Sequence, residues 1–319
     1  MTPGRPRRPF SRLAERAVGN LLFRSVQLEP RLVAEMRREA AELGGSAGDV
    51  IDLWAGVRRQ FRDCLSHGDP ADFLHWPPVE RTMVKRSHRR VQPELAHLRA
   101  RPDWPRWRSA VRETTLGRPR PLPRWPWSSV NAMYQAYHAC RFEEATGRSL
   151  ASMRTIVEFG GGYGRFCHLV HDLGFTGTYV IFDLPEVAVL QRFYLRHVGL
   201  AVGDGSATIW PERGVVTLVE VDRLRTLLRA RPRGQAAFVA IGSLSEAPLA
   251  LRDAVLTEVA SFNAFLVFYS ARHDAFDNRE YFTRWRTALD DHEWSDVDIP
   301  HLGKLARYLF GHRRSSGKE

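Results

Sequence analysis

The stretch TIVEFGGGYG at residues 155–164 decides the fold class of this 319-residue chain. An apolar run typical of a buried strand, 155–159, leads into the glycine-rich turn 160–164, and a helical pattern follows at once. Glycine is needed where the backbone takes a positive φ or lies directly against a ligand. Free amides at the start of a helix offer hydrogen bonds to a polar or anionic group. The turn therefore predicts a ligand-binding loop at the carboxyl end of a strand in a doubly wound sheet.

Alternating strand and helix patterns continue on both sides of this stretch. Predicted strands are 155–159, 179–182, 215–221, 237–241, 264–269, 296–299 and 306–310. Predicted helices are 130–146, 165–173, 185–198, 249–259 and 281–289. Because strands that alternate with helices form largely parallel sheets covered on both faces, residues 128–319 are predicted to form one α/β domain with a Rossmann-like sheet.

Residues 1–127 have a different pattern and are predicted to form a mostly helical, arginine-rich region. Pro30 opens one candidate helix, whose apolar side carries Leu32, Val33, Met36, Ala40 and Leu43. Asp49 is the predicted N-cap of a second helix, whose apolar stripe is Val50, Trp54, Val57, Phe61 and Leu65. Residues 1–10, with three prolines and three arginines, are predicted to be a tail.

The segment 101–127 ends this region and is rich in proline and tryptophan. It contains six prolines and four tryptophans. Each proline removes an amide donor and restricts the residue before it, which excludes a continuous helix. The segment is predicted to be either a linker or a strap that packs its indole rings over a pocket.

The formal net charge of +11 is confined to the first part of the chain. Residues 1–125 contain 25 basic and 14 acidic residues, whereas residues 126–319 contain 22 of each. Arginine accounts for 44 of the 47 basic residues, and composition bias in a GC-rich bacterial genome explains this better than nucleic-acid binding does. The sequence contains no helix-turn-helix, RNP or zinc-finger pattern, so a nucleic-acid partner is not expected.

Cysteine usage and hydropathy favour a cytoplasmic location. Cys64, Cys140 and Cys167 are scattered and form no CxxC pair, which disfavours both a disulfide framework and a zinc knuckle. The sequence has no run of about 18 apolar residues, so no membrane-spanning helix is expected. The apolar stretch 18–23 is interrupted by Gly19 and Asn20 and is too short for the core of a signal peptide.

The spacing of the glycines and of the next acidic residue selects the class of ligand. A dinucleotide fingerprint requires GxGxxG, but Arg165 or Cys167 occupies the position of the third glycine in either register. The sequence instead has ExGxGxG from Glu158, and Asp183 ends the next predicted strand 19 residues after Gly164. An acid at that strand tip can accept hydrogen bonds from a ribose diol. The pattern predicts a nucleoside-type ligand; the alternative is a structural turn with Asp183 in a helix cap.

These motifs are similar to those of class I S-adenosylmethionine-dependent methyltransferases. The string VEFGGGYGRF, followed by YVIFDLPEVAVLQRFYL, resembles the bacterial sugar O-methyltransferase family. The phrase FDLPEV also resembles a segment of plant-type small-molecule O-methyltransferases. Weaker matches are the helix NAMYQAYHACRFEEATG and the segment IGSLSEAP, where Ser243 and Glu246 match and Ala247 departs. The resemblance covers about residues 128–290 and does not extend over the arginine-rich first part.

The resemblance implies S-adenosylmethionine as the cofactor and methyl transfer to a hydroxyl of a sugar or a glycosylated metabolite. The residues expected around the cofactor are Glu158, Gly160, Gly161, Gly162, Tyr163, Gly164, Asp183, Leu184 and Ser243. The glycine turn would contact the methionine part, and Glu158 would position either the amino group or the loop. Asp183 would hold the ribose hydroxyls, and Leu184 would flank the adenine.

An alcohol acceptor benefits from a general base, because its pKa lies far above neutral pH. The candidates are His273, after the strand 264–269, His138, on the helix before the glycine turn, and Glu246, after the strand 237–241. Either histidine could instead be an ordinary core or surface residue, and Glu246 could form a capping box with the serine three residues before it. The sequence shows no constellation of metal ligands, so no metal is expected.

Two other functions are compatible with the sequence. A nucleic-acid methyltransferase could use the basic first part as a phosphate clamp, and its binding would weaken strongly as the salt concentration rises. A non-catalytic partner protein could keep the fold and bind through its basic, tryptophan-rich first part, although the intact glycine turn argues against this. The expected substrate is a small sugar or glycoside, no membrane partner is expected, and a homo-oligomer is left open.

Overall fold

Eight strands form the central sheet of this computed structural model, which describes residues 26–43, 52–85, 88–122, 125–206, 210–232 and 234–314. The described strands are β1 (Pro121–Leu122), β2 (Trp125–Ser129), β3 (Thr155–Phe159), β4 (Thr178–Phe182), β5 (Val202–Gly203), β6 (Gly214–Leu218), β7 (Ala236–Ile241), β8 (Ala264–Ser270), β9 (Arg272–His273), β10 (Phe276–Asp277), β11 (His292–Asp298) and β12 (Ala306–Arg313). The described helices are α1 (Pro30–Glu42), α2 (Asp52–His67), α3 (Pro77–Thr82), α4 (Val91–Ala100), α5 (Trp104–Ala110), α6 (Val130–Thr146), α7 (Arg165–Asp172), α8 (Pro185–His197), α9 (Val221–Arg229), α10 (Leu249–Val259) and α11 (Asn278–Thr287). None of the helices in these ranges is long and apolar enough to cross a membrane.

The order of the strands places β3 at the topological switch point of the sheet. This order is β11-β12-β8-β7-β3-β4-β6-β5. β3 is parallel to β4 on one side and to β7 on the other, so Phe159 lies beside both Phe182 and Ala240 at the strand ends. The strands from β8 to β5 are all parallel to their neighbours, and β12 and β11 add antiparallel strands at one edge. The doubly wound, Rossmann-like α/β class predicted from the sequence is therefore confirmed.

Successive residues of each strand point to opposite faces of the sheet, so the sheet has an apolar core on each face. Ile156 and Tyr179 belong to the core covered by α6, α7 and α8. Val157 and Val180 belong to the core covered by α9, α10 and α11. Strands that are buried on both faces consist of continuous apolar runs. This is the reason that β3, β4, β7 and β8 lie within a residue of their predicted positions.

The N-terminal helices pack on the first of these two faces and share its core. α1 begins at Pro30, as predicted, and buries Met36 and Ala40 from the predicted stripe. α2 buries Phe61 and Leu65 in the same apolar cluster. The predicted N-cap Asp49, its neighbour Val50 and the predicted tail 1–10 lie outside the described residues.

Buried ion pairs attach the N-terminal region to the helices that flank the sheet. The side chain of Glu186, in the first turn of α8, is 1% exposed and accepts hydrogen bonds from Nε of Arg58 at 3.0 Å and Nε of Arg62 at 2.8 Å. Arg165, at the start of α7, is equally buried and pairs with Glu113 at 3.3 Å. A buried charge is tolerated only when it is paired, so these contacts fix where the first part lies on the sheet.

The described part of the proline- and tryptophan-rich segment is folded rather than a plain linker. It contains α5 and the antiparallel pair β1–β2. Trp107 is fully buried, and its indole donates to Asp103 Oδ2 at 3.0 Å. Trp104 and Trp125 pack edge to face with 5.5 Å between ring centroids, whereas Trp127 is 59% exposed. The segment therefore contributes one indole to the core and leaves another at the surface.

Some element boundaries differ from the sequence prediction for identifiable reasons. The predicted strand 215–221 ends at Leu218, and the unpredicted helix α9 begins at Val221. α11 begins three residues earlier than predicted, because Asp277 caps it by accepting a hydrogen bond from the Glu280 amide at 3.0 Å. β11 begins four residues earlier than predicted, because this edge strand is largely polar and shows little apolar alternation.

We expect the Arg165→Met substitution to lower the free energy of unfolding by roughly 3–5 kcal/mol, because it leaves the Glu113 carboxylate buried without its charge partner. Urea unfolding followed by circular dichroism measures this loss. Arg59→Met is the matched control, since Arg59 is an exposed arginine on α2. Equal and small losses in both variants would show that the buried pair does not hold the two parts together.

Candidate functional site

The glycine turn after β3 has a backbone conformation that side chains other than glycine rarely adopt. Gly160, Gly162 and Gly164 have φ values of 71°, 56° and 97°. The Gly160 amide donates to the Phe182 carbonyl at 2.8 Å, which continues the pairing of β3 with β4 beyond the strand end. Gly164 is the N-cap of α7. The turn therefore joins strand to helix at the switch point, where doubly wound sheets bind their ligands.

Ser243 locks this turn to the end of β7. Its hydroxyl donates to the Phe159 carbonyl at 2.5 Å. A Cβ atom built on Gly160 would lie 2.2 Å from Ser243 Cβ, so only glycine fits there. Ser243 makes no side-chain cap on the short 3-10 helix Leu244–Glu246, so the capping-box alternative is wrong. The serine hydroxyl holds the loop instead.

Glu158 lies beneath the turn. Its side chain is buried, and Oε2 accepts a hydrogen bond from the Tyr179 hydroxyl at 2.9 Å. A Cβ on Gly161 would lie 2.8 Å from the same oxygen, so the turn rests directly on this carboxyl group. Burial raises the pKa of Glu158 to about 8. Of the two roles expected for this residue, this geometry fits support of the loop.

Asp183 connects the end of β4 to the turn. Its Oδ2 accepts hydrogen bonds from the Gly162 amide at 3.2 Å and from Gln191 Nε2 at 2.9 Å, and its Oδ1 accepts from the Leu184 amide at 2.8 Å. Burial raises the pKa of Asp183 to about 7, against the lowering effect of these three hydrogen bonds. The N-cap of α8 is Leu184, with no side-chain cap, so Asp183 is not an ordinary helix cap.

Gln191 is a part of the site that the sequence did not reveal. It is fully buried on α8, and its Nε2 also donates to the Gly162 carbonyl at 2.7 Å. The glutamine therefore bridges Asp183 and the turn. Its only sequence signal is a polar residue on the apolar side of α8, which could not be interpreted without the neighbouring elements.

Tyr163 contributes its backbone to the glycine turn, whereas Leu184 lies at the tip of β4. The Tyr163 side chain is buried, accepts a hydrogen bond from Asn131 Nδ2 at 2.8 Å and packs edge to face on Phe73. Its ring thus points toward α6 and the N-terminal helices, and its backbone lies in the turn. Leu184 is partly buried beside Asp183, at the tip of β4.

A segment of the first part reaches over the turn, which the sequence did not indicate. A Cβ on Gly162 would lie 3.5 Å from Met83 Cγ, so Met83 faces this glycine. Two residues on, the Lys85 amide donates to Asn131 Oδ1 at 3.5 Å. Lys85 Nζ lies 5.0 Å from the ring centroid of Tyr134. The 83–85 segment therefore lies between the glycine turn and α6.

The three residues predicted as general bases lie in different surroundings, and His138 is the most deeply buried of them. His138 is fully buried and is hydrogen bonded through Nδ1 to the Tyr308 hydroxyl. Burial and the charge of Lys85 hold the pKa of His138 well below its usual range. A ring sealed in this way cannot meet an acceptor hydroxyl, so the geometry does not support His138 as the base.

His273 and Glu246 remain at the carboxyl edge of the sheet, but they lie in different settings. His273 is on the β9–β10 hairpin after β8, its side chain is 33% exposed, and its Nε2 lies 3.9 Å from Asp274 Oδ2. Among the described residues, no hydrogen bond or ring contact joins His273 to the glycine turn. Glu246 is exposed at the end of the 3-10 helix that follows Ser243, and its charge acts on Lys85.

One group of potential metal ligands occurs within the described residues. His97, Cys140 and Glu144 place their ligand atoms within 4.8 Å of one another. Glu144 already pairs with Arg101 at 2.9 Å and with Arg141 at 3.2 Å. Burial raises the pKa of the Cys140 thiol to about 12. A cation would have to displace two guanidinium groups and deprotonate this thiol, so we assign no metal to this group.

No family model and no curated protein matches this chain. It is similar to an O-methyltransferase family protein from Burkholderia thailandensis, with 12% identity and a TM-score of 0.38 over 74% of this chain and 75% of that chain. It is also similar to the N-terminal domain of EvdMO1, solved in the presence of SAH and D-fucose, with 13% identity and a TM-score of 0.38 over 57% and 83%. Magnesium protoporphyrin IX methyltransferase from Synechocystis, with bound SAH, gives 8% identity and a TM-score of 0.38 over 57% and 83%. Likeness at these scores carries no inference about the substrate or activity of this chain.

We expect Gly160→Ala to destabilise the protein more than Gly147→Ala does. Both glycines have a left-handed φ, 71° and 64°, and alanine costs about 1–2 kcal/mol in that region. A Cβ on Gly147 meets nothing within 4 Å, whereas one on Gly160 meets Ser243, and such overpacking costs about 1–3 kcal/mol more. Urea unfolding of both variants compares the losses. An equal loss would contradict the lock between Ser243 and the turn.

Proposed function

We propose that this chain is an S-adenosylmethionine-dependent O-methyltransferase that acts on a hydroxyl of a sugar or a glycosylated small molecule. The observation that carries the proposal is the meeting of the glycine turn, Asp183 and Ser243 at the tips of three adjacent parallel strands, β3, β4 and β7. This is the crevice where a doubly wound sheet binds a nucleoside. The ExGxGxG spacing from Glu158 supports the same ligand.

The residues present fit S-adenosylmethionine. A carboxylate offers about four acceptor positions, and Asp183 uses three of them within the protein, so it can still accept a hydrogen bond from a ribose hydroxyl. Gly162 has no side chain, and a Cβ built on it would lie 3.5 Å from Met83 Cγ, so Met83 covers this side of the turn. Leu184, next to Asp183, would flank the adenine. The turn itself would face the methionine part of the cofactor.

The protein supplies position and exclusion of water, while the bound sulfonium supplies the methyl group. Methyl transfer is an in-line displacement, so its rate depends on holding the acceptor oxygen at near-attack distance. The 83–85 segment and α6 would cover the crevice on the acceptor side. We propose that residues 1–127 serve as this cover and that residues 128–319 bind the cofactor. The three cysteines are free, which is compatible with a cytoplasmic setting.

The pairing of the arginines weakens the case for a nucleic-acid substrate. Arg58 and Arg62 pair with the buried Glu186, Arg106 pairs with Glu143, and Arg101 pairs with Glu144. A guanidinium group that neutralises a carboxylate within the protein is not free to displace counterions from phosphates. The basic first part is therefore better explained as a packing surface than as a phosphate clamp.

Asp183→Ala should weaken the binding of S-adenosylhomocysteine about 5- to 150-fold, because it leaves ribose hydroxyls unpaired in a partly buried site at a cost of about 1–3 kcal/mol. Isothermal titration calorimetry measures this change. Asp222→Ala, which removes an exposed carboxylate from α9, is the control and should bind as the unaltered protein does. Unchanged affinity in Asp183→Ala would contradict the ribose role, and no binding in any variant would refute the cofactor assignment.

The acceptor class is tested by supplying methyl-labelled S-adenosylmethionine with free sugars, sugar nucleotides and glycosides, and in parallel with transfer RNA and duplex DNA. We expect label to enter carbohydrate hydroxyls and not nucleic acid, and Asp183→Ala serves as the low-activity control. Salt-sensitive labelling of nucleic acid alone would overturn the proposal. Cofactor binding without transfer to any of these acceptors would favour a non-catalytic partner protein.

A further inference from the structure

Lys85 lies where the first part of the chain meets the proposed crevice. Its amide is held by Asn131 on α6, and the amide nitrogen of Asn131 in turn donates to the hydroxyl of Tyr163. Lys85, Asn131 and Tyr163 line one small cavity beside the turn. Lys85 is therefore positioned by a short chain of hydrogen bonds that ends in the glycine turn itself.

Charged groups from three elements face the Lys85 ammonium. Glu246 follows β7, Glu94 is on α4, and Arg90 immediately precedes α4. The charge of Lys85 also lowers the pKa of His138 on α6. Within the described ranges, no carboxylate lies within ion-pair distance of Lys85 Nζ, so the ammonium has no direct counter-charge there.

The carboxyl group of Glu94 does not serve as a permanent anion for Lys85. Glu94 is 2% exposed, and its Oε1 lies 3.4 Å from His301 Nε2. Burial raises the pKa of Glu94 to about 8, against the lowering effect of the Lys85 charge, which disfavours the ionised form of this group. Of the two carboxyl groups whose charge acts on Lys85, only that of Glu246 is exposed to solvent.

Lys85 is exposed to solvent, but the protein around its ammonium group disfavours the positive charge. The residue is exposed, as a group that meets a substrate must be. Desolvation by the surrounding protein nevertheless lowers the pKa of Lys85, against the raising effect of the Glu246 and Glu94 charges, and the charge of Arg90 lowers it further. This raises the fraction of neutral amine, the form that accepts a proton.

The amino-acid type at position 85 is also informative. Lys85, Lys304 and Lys318 are the only lysines beside 44 arginines. A lysine amine can lose its proton in a desolvated site, whereas an arginine guanidinium cannot. Where charge alone is needed, the composition of this chain supplies arginine, so a lysine beside the crevice indicates a role that requires deprotonation.

We propose that Lys85 is the general base that accepts the proton of the acceptor hydroxyl, an inference that rests on the proposed function. As the oxygen attacks the methyl carbon, its O–H proton passes to the neutral amine of Lys85. The O–C bond forms while the C–S bond breaks, and that electron pair remains on sulfur. The products are the methyl ether, S-adenosylhomocysteine and the Lys85 ammonium, which returns its proton to solvent through the exposed side of the crevice.

Trace acetylation of the full chain with acetic anhydride between pH 6 and 10, followed by peptide mass spectrometry, tests this inference without a known acceptor. We expect Lys85 to reach half-maximal labelling at a lower pH than Lys304, because its surroundings favour the neutral amine. Lys304, which is exposed on the turn between β11 and β12, is the internal reference. Saturating S-adenosylhomocysteine should slow the labelling of Lys85 severalfold and leave Lys304 unchanged.

Identical pH profiles for the two lysines, or no protection of Lys85 by S-adenosylhomocysteine, would overturn the assignment. Failure of S-adenosylhomocysteine to bind by calorimetry would instead refute the proposed function, so the two failures are distinguishable. With an acceptor in hand, Lys85→Arg should lower kcat about 10²- to 10⁴-fold with cofactor affinity retained. Activity near that of the unaltered protein in Lys85→Arg would show that charge alone is sufficient and would refute the base.

Discussion

Pairing between buried guanidinium and carboxylate groups holds this molecule in one arrangement. Glu186 cannot be buried at the start of α8 unless Arg58 and Arg62 of α2 reach it. Arg165 at the start of α7 likewise requires Glu113 of the first part. Both anchor points lie on helices that follow directly after β3 and β4, two of the three strands whose ends form the site. The ion pairs that fix the N-terminal region therefore also bring the 83–85 segment over the glycine turn.

The site depends on close packing between strand ends rather than on a single motif. The turn after β3 rests on Glu158 from below, is locked sideways by Ser243 from β7, and is hydrogen bonded to Asp183 from β4. Each of these contacts uses a backbone group or a glycine without a Cβ. Such a loop is preorganised, so little conformational entropy needs to be lost when a ligand binds.

The ion pairs of the structure explain the arginine content of the first part better than the composition does. As a composition, an excess of 11 positive charges in the first part left a nucleic-acid surface as an alternative to genome bias. In the structure, arginines of this region pair with carboxylates of α6 and α8, as Arg106 with Glu143 and Arg58 with Glu186 show. Guanidinium groups suit such interfaces because they form planar, multiple hydrogen bonds and are weakly hydrated.

The sequence by itself determined the α/β class, the positions of the central strands, the glycine turn and the acid after β4. These are local signals, because apolar runs, glycine spacing and short motifs depend on residues close together in the chain. It could not show that Gln191 bridges Asp183 and the turn, that His138 is sealed in the core, or that the Lys85 ammonium lies over the ring of Tyr134 on α6. Those facts depend on contacts between residues that are distant in sequence, and only the packing of the first part on the sheet decides which polar side chains are buried and which remain open to a ligand.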